Sequence, residues 1–171
     1  MNDVMIDIET LGTTPDSVIL SIAAVEFNLR TGIIFRELYR QIRPNQHDRK
    51  ICTETVRWWL DKSPLLISES FSGNNHLTDI LIELSIFVGD KTVWSQGTDF
   101  DFPILDHAFN ACNISIPWKY YAKRDTRTAY DVCGFDPKSI ERVGVHHNAL
   151  SDCKHQIKCV VAALQGMKAA A

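Results

Sequence analysis

The sequence holds no run that approaches the ~20 apolar residues a membrane span needs. Its N-terminus offers no basic stretch leading into an apolar signal core, but passes directly into the strand-like VMIDIET. A soluble, cytoplasmic protein with no membrane partner is therefore expected. Cysteine is sparse and scattered. Cys52, Cys112, Cys133, Cys153 and Cys159 make an odd number with no C-x-x-C pair. That argues against a disulfide framework or a zinc site, and for reduced, partly buried thiols. Repeats, low-complexity tracts and linkers are missing as well. So is any surplus of positive charge: 18 Lys and Arg against 21 Asp and Glu leave a net charge of −3. Broad electrostatic coating of nucleic acid is thereby excluded. An enzyme that grips only a strand end, with bound metal ions supplying positive charge, is not. What is present is ordinary for a globular protein, 171 residues at 45% hydrophobic and 23% charged, which suits one core. We read 1–168 as a single domain and 169–171 as a tail outside the fold.

Residues 4–9 alternate, with Val4, Ile6 and Ile8 on one face and Met5, Asp7 and Glu9 on the other. After the turn-rich TLGTTPDS, VILSIAAVEFN and IIFRELYRQI read as two strands turned by RTG, which completes an antiparallel meander. Beyond Pro44 the pattern becomes helical. TETVRWWLDK has Thr53 as its expected N-cap, and LTDILIELSIFVG is stopped by Gly89. TVWSQG is a short buried strand. FPILDHAFNAC is a helix with Pro103 in its first turn. YYAKRD ends a strand before a helix over about 126–133, and a last helix starts from Asn148. The order predicts an α/β domain: a mixed central sheet, three antiparallel strands and then parallel ones, flanked by helices.

Against that frame, acids sit in unexpected places. Asp7 and Glu9 share one face of a strand, where like charges raise each other's pKa unless a cation lies between them. Alone, D-x-E means little, since it arises by chance in about half of chains this long. Asp99 and Asp101 fall where a strand ends in Gly97 and a helix begins near Phe102. One of them can be a helix cap, which leaves a spare carboxylate. In GVHHNALSDC, Asn148 can cap the last helix, which sets Asp152 in or beside its first turn and His147 just before it. Together these are carboxylates at three places, each near the end of an element, with a histidine beside the last. Hard oxygen donors suit Mg²⁺ or Mn²⁺ better than zinc. Two such ions are a standard device for attack on a phosphodiester. A histidine, with an unperturbed pKa of ~6.5, can take the proton from water near neutral pH.

DIET, FDFPIL and HNALSD, in this order, resemble the three motifs of the DEDDh group of 3′-5′ exonucleases, which have a ribonuclease H-like fold. The likeness spans residues 4–165. It implies that Asp7, Glu9, Asp101 and Asp152 are ligands for two Mg²⁺ or Mn²⁺ ions and that His147 is the general base. His146 is then a neighbour, and Asp99 a candidate helix cap, because the family pattern sets the ligand straight after phenylalanine, as in Phe100-Asp101. TVRWWLDKS and RDTRTAYD resemble segments of the RNase AS-type bacterial and phage exoribonucleases. That implies single-stranded RNA 3′ ends as substrate, with a preference for adenylate-containing ends, and a homodimer.

Substrate contacts are expected at Thr10 and Leu11, the apolar residue wedging against a base in relatives, and at Phe100 beside the second motif. On a helix Cys52, Val56, Trp59 and Leu60 share one arc, which assigns Trp59 to the core. Trp58 lies off that arc and is free to stack on a base or to meet a partner. Arg127 follows the expected cap Asp125, where a cation opposes the helix dipole. Either a phosphate contact or a surface ion pair would account for it. Two other readings stay open: a 3′-5′ exodeoxyribonuclease of phage or prophage origin, or an inactive module that binds nucleic acid or a polymerase.

Overall fold

The computed structural model describes residues 2–169, with side chains to Met167. Of the expected tail, residues 170–171 lie outside the described residues, and 169 ends the last helix.

Five strands form one mixed sheet in the order β3-β2-β1-β4-β5. Strands β1 (Asp3–Thr10), β2 (Ile19–Phe27) and β3 (Ile34–Gln41) are the antiparallel meander. Two three-residue strands, β4 (Val93–Ser95) and β5 (Lys123–Asp125), add in parallel on the other side of β1. Helices α3 (Leu77–Val88) and α4 (Thr98–Ala111) contribute to the layer on one face. Helices α5 (Thr126–Val132) and α6 (Ala149–Ala169) cover the other. The alternation of β1 explains both layers. Val4, Ile6 and Ile8 join the cluster containing Leu81, Leu84, Leu105 and Phe109, while Met5 joins the one with Ile157, Val160 and Val161. Strand β2 is buried throughout, as its near-continuous apolar run requires of a strand covered on both faces. A third cluster, Leu11, Val18, Leu20, Trp59 and Leu66, packs below helices α1 (Thr53–Leu60) and α2 (Pro64–Phe71). The five cysteines are free thiols, Cys153 and Cys159 buried and the others half-buried.

Four local expectations are corrected. Thr53 is the first helical residue of α1, and the cap position belongs to Cys52, whose Sγ donates to Glu54 Oε2 at 3.0 Å. The buried arc of α1 is narrower than its spacing suggests, with Trp59 1% exposed and Leu60 65%. This short helix touches the core along one edge only. Helix α2 has no counterpart in the sequence reading. It starts on Ser63, whose Oγ accepts from the Leu66 amide, followed by Pro64, and eight residues are too few for a clear apolar period. Finally, α4 begins at Thr98 rather than near Phe102, so Pro103 lies beyond the first turn and Asp99 is not the cap. The cap position is Gly97 at φ 99°, with its amide donating to Asp125 Oδ1 at 3.0 Å. A positive φ there suits glycine and turns the chain from β4 straight into the helix.

Candidate active site

Strand β1 carries Asp7 and Glu9 on the α6 side of the sheet. Their partners across the antiparallel ladder are Ala23 and Ser21, side chains too small to fill the space above the two acids. Asp7 Oδ1 accepts from Gln156 Nε2 of α6 at 2.8 Å. Strand β4 pairs with β1 only at Val4 and Met5. Farther along, the open edge of β1 meets the first turn of α4, and the Ile8 amide donates to Asp101 Oδ1 at 3.2 Å. Asp101 is buried. From the far side, Asn148 caps α6 by accepting the Ser151 amide at 3.1 Å, while its Nδ2 donates to Tyr39 and Glu69. That fixes the first turn of α6, where Asp152 is buried and ion-paired with Arg142.

Three of these carboxylates, Asp7, Glu9 and Asp152, present oxygens within 4.8 Å of one another. Asp101 stands outside that triangle but lines the same cavity of about 180 Å³, together with Gln96, Phe100, Arg142, His146, His147 and Gln156. Burial and then the neighbouring acids hold the Asp7 carboxyl well above the ordinary carboxylate range. The same causes raise Glu9 to about 8, and burial raises Asp101 to about 7. Anionic oxygens forced together out of water gain a partner when a divalent cation enters. Oxygen-only donors suit Mg²⁺ or Mn²⁺, so the residues fit such ions.

His147 precedes the cap of α6 in a left-handed conformation, φ 63°. Its ring stands edge-on to Trp58 at 4.6 Å and to His146 at 4.0 Å. Burial, and then His146, lower its pKa to about 4, so at neutral pH it is an uncharged imidazole able to accept a proton. His146 lines the same cavity but is exposed.

A second cavity of about 460 Å³ opens beside the carboxylates and shares Glu9, Phe100 and His147 with them. Thr10, Gly12, Thr13, Glu54, Thr55, Trp58 and Trp59 complete its walls. Trp58 is 39% exposed, with Lys62 Nζ 3.8 Å over its ring. Thr10 holds the adjoining turn, its Oγ1 donating to the Gly12 carbonyl at 2.6 Å and its own carbonyl accepting from Trp59 Nε1 at 2.9 Å. Leu11 is not brought to the cleft. It is 2% exposed in the third core cluster, because the ladder of β1 breaks register between Glu9 and Thr10 and the Leu11 amide turns to the Val18 carbonyl. Arg127 lines neither cavity. Its guanidinium lies against Gly97, where an added Cβ would meet Nη1 at 2.9 Å, and its charge acts favourably on Asp101. Asp125 caps α5, as expected, by accepting the Arg127 and Thr128 amides.

The sequence reading missed Gln156 and Arg142. Gln156 follows Asp152 by one helical turn, so a face-by-face reading of α6 could have found it. Arg142 comes from an irregular charged loop that offers no period.

A family model described as the 3′-5′ exoribonuclease Rv2179c-like domain matches residues 2–164. An exodeoxyribonuclease of Enterobacteria phage T4 is 21% identical, with 96% of this chain and 90% of that protein covered. Among solved structures, E. coli exonuclease I in complex with a dT13 oligonucleotide superposes with a TM-score of 0.72 at 15% identity, over 95% of this chain and 40% of that one. The chain thus spans less than half of exonuclease I. The nuclease domain of 3′hExo, a DEDDh family member bound to rAMP, gives 0.64 at 15% identity over 96% and 92%. These structures share the ribonuclease H-like fold, with its five-stranded mixed sheet flanked by helices. Matched by the family model along nearly its whole length, the chain belongs to the Rv2179c-like 3′-5′ exoribonuclease domain family.

Proposed function

We propose that the chain hydrolyses single-stranded RNA from its 3′ end and releases nucleoside 5′-monophosphates. The observation that carries this reading is the convergence of four carboxylates from β1, α4 and α6 on one small cavity, with an uncharged histidine beside them. Asp7, Glu9, Asp101 and Asp152 would hold two Mg²⁺ or Mn²⁺ ions. When bound, such ions make water a better nucleophile and stabilise charge on the phosphate and on the leaving oxygen. His147 takes the proton of the attacking water. The bond from phosphorus to the 3′ oxygen of the preceding nucleotide breaks, and that oxygen gains a proton to become the new 3′-hydroxyl. Thr10, Trp58 and Phe100 border the larger cavity next to the acids and receive the terminal nucleotide there. Arg127 supports the turn at Gly97 and acts on the site through the favourable effect of its charge on Asp101.

The family description favours RNA. A DNA substrate is the second reading, because one relative is an exodeoxyribonuclease and another solved structure is exonuclease X with 5′ overhanging duplex DNA. In the same proposal the chain acts as a homodimer, as the RNase AS-type resemblance implies, and light scattering reads its mass. The deciding experiment offers 5′-labelled RNA and DNA of one sequence, each with Mg²⁺ or Mn²⁺, with Asp101→Ala as the blank. Shortening from the 3′ end on RNA alone is expected. Shortening on DNA alone overturns the substrate and keeps the chemistry. No cleavage of either by well-folded protein favours a binding module.

A further inference from the structure

We infer that the segment WKYYAKR, 118–124, is a second contact for single-stranded nucleic acid, which takes unpaired bases on Tyr120 and Tyr121 while the strand end sits in the cleft. This rests on the nuclease reading above and extends it to a surface that reading does not use. Tyr120 is 88% exposed and Tyr121 58%. Their rings meet edge to face at 5.2 Å, so together they offer π surface that folding leaves uncovered. Lys119 Nζ stands 5.8 Å from the Tyr121 ring. Arg124 Nη1 donates to the carbonyls of Tyr121 and Lys123 at 2.7 and 2.9 Å. Among the described residues no salt bridge engages Lys119 or Arg124. The protein carries a net charge of −3, and this patch is a local exception.

The platform is anchored from below. Trp118 is buried between Phe102 and Phe109, with ring centroids at 5.2 and 5.5 Å. Asp106 accepts both Trp118 Nε1 at 2.9 Å and Lys123 Nζ at 2.5 Å. Alternate groups of one short segment are therefore locked while the two tyrosines between them project, which lowers the ordering cost of stacking a base. Strand β5 runs from this platform toward the turn before α4. Its far end, Asp125, accepts the Gly97 amide at the start of α4, beside Arg127. Lys123 is level with Val93 and Val4 in the sheet. Asp7 therefore lies three strand steps farther along and two strands across, and the platform, which precedes Lys123, stands more than about 14 Å from the acids, a gap that several nucleotides of extended strand cover. Flat π faces beside Lys119 and Arg124, the latter also acting on Asp3 at the start of β1, match the stacking-plus-phosphate chemistry of single-strand recognition. An apolar protein partner would find little aliphatic surface here.

The test uses Tyr120→Ala/Tyr121→Ala with fluorescent single-stranded RNA of about four and about sixteen nucleotides, bound in chelator. Affinity for the long strand should fall ~10-fold, the loss expected for one stacked base. Short-strand affinity and short-strand cleavage should stay at wild-type values, with the melting temperature unchanged. Lys119→Ala/Arg124→Ala, as an independent variant, should lower the slope of log affinity on log salt by about 1.4 for the long strand. Unchanged long-strand affinity in both variants overturns the inference. So does conversion of a wild-type dimer to monomer with binding intact, because the tyrosines would then serve a protein interface. A wild type that binds the long strand through this patch yet fails to cleave the short one counts against the nuclease reading alone.

Discussion

The carboxylate cavity and the aromatic cavity share a wall but are built differently. The first takes its groups from the regular ends of β1, α4 and α6, tied by a backbone amide, a helix cap and a side-chain hydrogen bond: Ile8 to Asp101, Ser151 to Asn148, Gln156 to Asp7. The second is assembled from the turn after β1 and from α1, a helix without a side-chain cap. Chemistry that demands fixed geometry therefore sits on rigid elements. Recognition of a terminal nucleotide, which tolerates more variation, sits on a short helix and a turn. The contrast predicts opposite responses to mutation: lost turnover with retained fold on one side, graded losses of affinity on the other.

The largest effect is expected at Asp101. Asp101→Asn keeps the shape and the Ile8 amide contact but removes the charge, and should leave no measurable turnover with the circular dichroism spectrum intact. Wild-type rates would sink the metal-ligand assignment. Next comes His147→Ala, expected to lower kcat by ~10²–10⁴ if it is the base. His146→Ala, on the exposed neighbour, should do far less. The reverse order in a single-turnover assay would transfer the role to His146.

The same crowding makes the metal-free protein sensitive to pH. Glu9 rises from its ordinary value of 4.5 to about 8 and Asp101 from 3.8 to about 7. The folded state thus holds these protons more tightly than the unfolded state. Their contribution to stability is fully present below the unfolded values and is lost as pH rises through 7 to 8. In chelator, the melting temperature should therefore fall between pH 5 and pH 8, and Glu9→Gln should flatten the fall. Mg²⁺ or Mn²⁺ at pH 8 should restore the loss, since an ion bound only by the folded chain stabilises it. A melting temperature indifferent to both metal and pH would mean that the acids are not crowded as described.

Much of this was legible in the chain because it depends on periodicity and on local rules. The alternation of β1 gave the two core layers and set Asp7 and Glu9 on the same face. Asn148 announced the start of α6 and hence the place of Asp152. Trp59 followed from its arc on α1. Illegible parts depended on contacts between distant segments. Nothing local shows that Gly97 and Asp125 meet, so the sequence places the start of α4 four residues late and offers Asp99 as a candidate cap where Gly97 holds the position. No periodicity marks the loop that brings Arg142 to Asp152. The break in register after Glu9, which sends Leu11 inward, is a property of the pairing of β1 with β2 and cannot be read from either strand alone.

That last point separates two neighbours of the cleft, and two substitutions test it. Leu11 fills a core cluster with Val18, Leu20, Trp59 and Leu66. Leu11→Ala should therefore cost ~2–5 kcal/mol of stability, read by denaturant unfolding, with substrate affinity changed only as far as the fold loosens. Trp58 is the mirror case. Half-exposed beside His147, it supports no core, so Trp58→Ala should leave the melting temperature nearly unchanged. Its loss should weaken binding of the RNA 3′ end by ~1–3 kcal/mol if the ring stacks on a base. Lys62 already sits over the ring, so a base must displace the ammonium or use the opposite face, which favours the lower end of that range. Phenylalanine at 58 keeps a π face and should recover most of the loss. Failure of Trp58→Phe to do so would show that the indole contributes by orienting His147, and the deficit would then appear in kcat rather than in KM.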